Sequence, residues 1–200
     1  FSSPYLIGIA SFIALMTFVS TMLYFQQAHL VAEAFSDRGE RTAFFAKIDL
    51  AVNVLTILFQ VYLTARIVKW LGVGMTLAMI PLAMTLGFLS LGLYPTLVIL
   101  VVVQVIYRAG RYGLTKPARE MLWTVLSRQD KYKAKPFLDA AIYRGGDLVS
   151  GWIYTGLAAV GLSIGAIALV AAPVAGIWAL LALKLGRREE EMARIQEEKA

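Results

Sequence analysis

The sequence contains no cysteine, which excludes disulfides and thiolate-bound metal sites. Histidine occurs once, as His29. A histidine-based metal centre or a nucleophile–base relay needs several convergent ligands or a paired partner, so neither is expected. His29 itself is expected in an interfacial loop. No stretch matches G-x-x-x-x-G-K-[ST], the phosphate-cradling loop through which a chain couples to ATP hydrolysis. With no metal-binding or nucleophilic constellation, neither an enzyme nor a resident cofactor is expected. Charge is scarce as well. Only 16% of the residues are Asp, Glu, Lys or Arg, against about 25% in soluble domains.

What takes their place is apolar. Hydrophobic residues make up 59% of the chain and the mean hydropathy is +0.69, a composition that points to a membrane protein. Crossing roughly 30 Å of hydrocarbon takes about 20 apolar residues of helix. Six stretches meet that ruler, near 5–25, 48–68, 71–93, 96–115, 137–160 and 163–183. The expected fold is an all-α membrane protein of six transmembrane helices, a transmembrane domain over 1–183 followed by a charged tail over 184–200. The turns "LYPT" and "VGLS" are short and uncharged, and such hairpins force antiparallel neighbours. "QQAHLVAEAF", Gln26 to Phe35, mixes polar and apolar residues at helical spacing and is expected along the outer interface. In the tail, Glu190 stands four residues before Arg194, the spacing of a solvated helix. The chain begins at Phe1 and enters an apolar span almost at once, with no basic flank or small-residue cleavage site. It reads as a piece of a longer protein.

Orientation follows from lysine and arginine, which collect in short cytoplasmic loops. Between Arg108 and Lys135 eight basic residues face only Glu120 and Asp130, an excess of six that equals the net charge of the whole chain. Arg66 and Lys69 add to the same side, whereas Arg38, Arg41 and Lys47 are balanced by Glu33, Asp37 and Glu40. Both ends are therefore expected in the cytoplasm. A nucleic-acid role would need a soluble fold or an aromatic platform to present the basic run. Neither is visible, so no nucleic-acid partner is expected.

Polar residues inside apolar spans can be tested for a common face, since each helical residue advances about 100°. Asp49, Asn53, Thr56 and Gln60 fall within a narrow stripe on the second span, and Gln104, Arg108, Arg111 and Thr115 repeat its spacing on the fourth. Thr17, Thr21 and Tyr24 align on the first span, flanked by Ser20. On the fifth, Asp139, Tyr143, Gly146, Ser150 and Tyr154 share a face, with Asp147 at its edge and Arg144 further round. Asp147 falls about 15 Å along a helix that starts near Phe137, close to the bilayer centre. An ionised group there costs about 2.5–3.5 kcal/mol and needs a partner or water. Two readings of Arg144 and Asp147 stand. They form an i,i+3 ion pair that fixes packing, with Gly145 and Gly146 admitting a neighbouring helix, or they line a solute path. The candidate solute-binding residues are Asp49, Asn53 and Gln60 on the second span and Arg108 and Arg111 on the fourth. Tyr143, Arg144 and Asp147 complete the set on the fifth.

The segment from Tyr112 to Asp147 carries Tyr112-Gly113, then Arg119-Glu120, then Lys131, Lys133 and Lys135 in alternation, then Leu138-Asp139. This order resembles the ATP:ADP antiporter family of nucleotide transporters of plastids and intracellular bacteria, together with its bacterial relatives. The resemblance covers roughly a fifth of the chain closely and the first three spans through length and order. It implies a major-facilitator-like architecture of two six-helix halves, of which this chain looks like the C-terminal half. It implies an N-terminal six-helix half as partner, membrane lipid around both, and a place in the bacterial inner membrane. It also implies exchange of a small-molecule solute, nucleotides included, at a midplane site by alternating access. One departure bears on cargo. Nucleotide-exchanging members commonly carry a lysine where "YRGGD" has Asp147, and a carboxylate there repels polyphosphate. The expectation is thus a secondary transporter of an anionic or polar solute. A transport-incompetent membrane scaffold or sensor domain is the alternative.

Overall fold

The computed structural model describes residues 3–198. All secondary structure among them is helical. Helix α1 (Pro4–Ala34) starts on a proline, whose missing N–H costs nothing in the first turn. It runs on through "QQAHLVAEA", so that the expected interfacial segment is the end of α1. His29 accordingly lies on a helix and not in a loop, 3.2 Å from Glu33 one turn ahead.

Helix α2 (Arg38–Leu58) is capped by Asp37, whose side chain accepts from the Glu40 N–H at 2.9 Å. A π-helical turn, Phe59–Leu63, joins it to α3 (Thr64–Leu93). Gly72 breaks α3 with φ +76 and ψ 173, a left-handed conformation that glycine reaches without a Cβ clash. The chain then continues through α4 (Leu97–Gly110), a second π-helical turn at Arg111–Thr115, and the short α5 (Lys116–Met121). Helix α6 (Arg128–Phe137), a third π-helical turn at Leu138–Ile142, α7 (Tyr143–Ala159) and α8 (Ile164–Glu197) complete it.

Four helices are long and apolar enough to cross a membrane: Pro4–Ala34, Arg38–Leu93, Leu97–Met121 and Ile164–Glu197. The second of these runs through both expected spans at 48–68 and 71–93, with the Gly72 break at the second residue of the latter. The stretch 137–160 is not among the four. Asp139, Arg144 and Asp147 lower its hydropathy.

The core is built by α1, α3 and α8. Helix α3 packs along α8, and α1 lies between α8 and α7 while also touching α4. Phe12 on α1 meets Trp178 on α8 with ring centroids 5.5 Å apart, and both are fully buried. Small residues set how closely α3 and α8 approach. A Cβ on Gly186 would overlap the backbone of Gly74, and one on Gly165 would lie 2.8 Å from the Gly92 carbonyl oxygen. Between apolar helices in lipid, such contact replaces the missing hydrophobic driving force with dispersion. Helix α2 is different. It buries only Ile48 and Val52, leaves Leu50, Val54 and Ile57 exposed, and packs against α4.

A candidate solute path through the helix bundle

The polar stripes find partners across helices. Arg108 on α4 donates to Asp49 on α2 at 2.6 Å, and lower on the same interface the Gln60 amide donates to the Tyr112 carbonyl at 3.2 Å. Thr64 donates to the Gly113 carbonyl at 2.6 Å. Those two carbonyls belong to the π-helical turn Arg111–Thr115, whose widened backbone leaves acceptors free of the i to i−4 pattern. Asn53 is exposed on the same helix and makes no side-chain hydrogen bond among the described residues.

Arg111 sits deeper. Its Nη2 donates to the Tyr143 hydroxyl at 2.7 Å and its Nη1 to the Ser20 hydroxyl at 3.5 Å. The guanidinium also lies over the rings of Tyr143 and Tyr112, 5.4 and 5.7 Å from their centroids. One cation thus joins α1, α4 and the start of α7. A guanidinium removed from much of the solvent is tolerable when its donors are satisfied. Here neutral hydroxyls and π-faces engage them, with no carboxylate within 4 Å among the described residues.

Two cavities adjoin this point. One, of about 560 Å³, is walled by Ser20, Tyr24, Gln27, Gln104, Tyr107, Arg41, Arg108 and Arg111, among others. The other, of about 340 Å³, is walled by Arg111, Thr115, Lys116, Arg119, Asp139 and Tyr143, with Met16 and Tyr112. Cations outnumber anions on both walls. Several buried polar atoms of the lining residues have no protein partner among the described residues: Oε1 of Gln104 beside the first cavity, Oγ1 of Thr115 and Nε of Arg119 beside the second. Gln104 uses its amide nitrogen to donate to Gln27. Arg119 stands 3.3 Å from Asp139, yet Oδ1 of Asp139 accepts no aligned hydrogen bond, so the pair is a loose one.

Arg144 and Asp147 are not paired with each other. Asp147 accepts from the Thr21 hydroxyl of α1 at 2.9 Å, and Arg144 is exposed and makes no ion pair among the described residues. Both line an open hollow of about 600 Å³ with Phe25, Leu148 and Trp152. Of the two glycines, Gly146 packs on α1, where an added Cβ would stand 3.2 Å from Thr17, while Gly145 meets nothing within 4 Å. The i,i+3 pair is therefore not what holds this region. Thr21–Asp147, Gly146 on Thr17 and the stacked rings of Phe25 and Tyr154, 4.6 Å apart, hold α7 to α1.

No family model, curated protein or solved structure matches this chain. The site must be read from its own geometry. Of the candidate residues, Asp49, Gln60, Arg108, Arg111 and Tyr143 come together along α4. Arg144 and Asp147 line a separate hollow with Phe25 and Trp152, and Asn53 joins neither group. Sequence reasoning left out Arg41, Gln27, Gln104, Lys116, Arg119 and Asp139. Gln104 and Asp139 already stood on the polar stripes, and Gln27 stands two turns beyond Ser20. Arg41 carried no such signal, because it reaches the cavity from the first turn of α2.

Proposed function

We propose that the chain is one six-helix half of a major-facilitator-like secondary transporter. In this reading the stretches at 48–68, 71–93 and 137–160 all cross the bilayer, both ends are cytoplasmic, and an anionic or polar solute moves by alternating access. The observation that carries the proposal is Arg111, a half-buried cation with only neutral partners among the described residues, between two cation-walled cavities. A structural arginine in hydrocarbon would be expected to pair with a carboxylate. One left to hydroxyls keeps its charge available to a ligand that brings its own.

Nucleotide exchange belongs to the same proposal through the resemblance of Tyr112 to Asp147, and Asp147 weighs against it less than its sequence position suggests. It lines neither cavity beside Arg111 but a separate hollow, and is bonded to Thr21. The test is uptake by proteoliposomes of the full-length protein, preloaded with phosphate, a dicarboxylate or a nucleoside diphosphate and challenged with the labelled counterpart. Saturable exchange that is lost in R111A supports the reading. Absence of exchange for every anion, with the protein inserted and folded, returns the chain to a scaffold or sensor role.

A further inference from the structure

Arg111 and Tyr112 line both cavities, so a single layer of side chains separates two polar spaces. We infer that the Arg111–Tyr143 contact is a barrier across one continuous path, and that an oxyanion opens it by taking over the guanidinium. This deepens the proposed transport function and rests on it for the identity of the path.

The argument is one of competing acceptors. Both terminal nitrogens of Arg111 are used, Nη2 on the Tyr143 hydroxyl and Nη1 on the Ser20 hydroxyl. A carboxylate, phosphate or sulfate group accepts from those same two nitrogens in parallel. Such a bidentate pair adds the attraction of opposite charges and a matched fork geometry that two neutral hydroxyls lack. The ligand therefore displaces Tyr143 and Ser20 instead of adding to them. Displacing Tyr143 unlinks α4 from the start of α7, which is what separates the cavities. A ligand shifts a two-state element only by what it gains in one state over the other, and here the gain is the replacement of two hydroxyls by one anion.

The backbone at this layer is suited to the change. Arg111 opens the π-helical turn Arg111–Thr115, and Tyr143 directly follows the one at Leu138–Ile142. A π-turn holds one residue more than the α-helical register, so relaxing it rotates the attached side chains with little change elsewhere. Beyond the barrier stand Lys116 and Arg119, the latter 3.3 Å from Asp139 on the same wall. The cations on the two sides thus form a sequence with Arg111 at its middle.

The chain has no cysteine, so an introduced cysteine is its single thiol, and any cysteine elsewhere in the full-length protein is first replaced by serine. Ala28 lines the first cavity and Thr115 the second. In sealed vesicles of the full-length protein, labelling of A28C by sulfonatoethyl methanethiosulfonate, added to each face in turn, identifies the face on which the first cavity opens. With Tyr143 intact, T115C should be shielded from that face. Y143F, which removes only the hydroxyl, and Y143A should each raise its labelling from that face at least tenfold. Inorganic phosphate or sulfate should do the same in the Tyr143 protein where equal chloride does not. A rise below tenfold in both variants, or T115C already reacting as fast from that face with Tyr143 intact, overturns the barrier. A labelling rise with Y143F that neither oxyanion reproduces overturns the opening by ligand. Exchange assays on the same vesicles separate the two proposals: gated labelling without anion flux leaves the barrier standing and removes the transport function, and flux with ungated labelling does the reverse.

Discussion

Arg108 of α4 and Asp49 of α2 form an ion pair at 2.6 Å between side chains that are 33% and 54% exposed. It matters because α2 buries so little. With only Ile48 and Val52 inside, α2 and the turn after it are held to the bundle by polar contacts: Asp49 of α2 to Arg108, Gln60 of the π-helical turn to the Tyr112 carbonyl, and Thr64 at the start of α3 to the Gly113 carbonyl. Polar attachment of a marginal helix leaves its remaining apolar face free for lipid or for another part of the assembly.

The first prediction concerns that pair. D49A and R108A should each lower the thermal midpoint of the detergent-solubilised protein, and the double substitution should cost less than the sum of the two. Because both groups are partly exposed, the coupling expected from a double-mutant cycle is about 1 kcal/mol or less. Strictly additive losses would show that the two charges do not hold α2 to α4.

A second concerns Thr21 and Asp147. T21V removes the hydroxyl donor and leaves a partly buried carboxylate unpartnered, a loss of about 1–3 kcal/mol. D147N keeps an acceptor oxygen for Thr21 and should cost much less. R144A breaks no ion pair and should stay within about 0.5 kcal/mol of the parent. Equal losses for R144A and T21V in chemical denaturation would restore the i,i+3 pair that the geometry lacks.

The third uses glycine. G186A forces a methyl group into the Gly74 backbone, and overpacking of this kind costs about 1–3 kcal/mol or more. G145A meets nothing within 4 Å and gains up to about 1 kcal/mol of helix propensity. The two substitutions should move the thermal midpoint in opposite directions, and a harmless G186A would mean that α3 and α8 do not cross at Gly74.

The fourth addresses topology. S36C, between α1 and α2, and S127C, at the start of α6, should react with an impermeant thiol reagent from opposite faces of the membrane. The expectation rests on the excess of six positive charges between Arg108 and Lys135, since short loops rich in Lys and Arg tend to stay in the cytoplasm. Labelling of both from one face would overturn the orientation.

Much of the architecture was legible in the residues. Apolar runs locate the helices because hydropathy and length are local quantities, and Asp37, Thr96, Ser127 and Ser163 mark helix starts by capping them. The end of α1 was set apart from its span for the same local reason: Gln26, Gln27 and His29 lower the hydropathy of a segment that stays helical, with Gln26 and Gln27 buried against the bundle. The π-helical turns were invisible, because nothing in the composition of "FQVYL", "RYGLT" or "LDAAI" departs from ordinary helix formers enough to mark a widened register.

By itself the sequence determined that this is an all-helical, membrane-suited chain, which residues share a face on each helix, and where positive charge collects. Each of these follows from spacing along one element. Only the tertiary structure decided which face meets which: that Asp49 takes Arg108, that Asp147 takes Thr21 across α1 in place of the nearby Arg144, and that Arg111 stands between two cavities on the hydroxyls of Ser20 and Tyr143. Helical periodicity gives a side chain's angle about its own axis, but the rotation and depth of that axis relative to its neighbours come from close packing. In this bundle that packing is set by contacts such as Gly74 on Gly186 and Gly146 on Thr17, whose partners lie 112 and 129 positions apart in the chain.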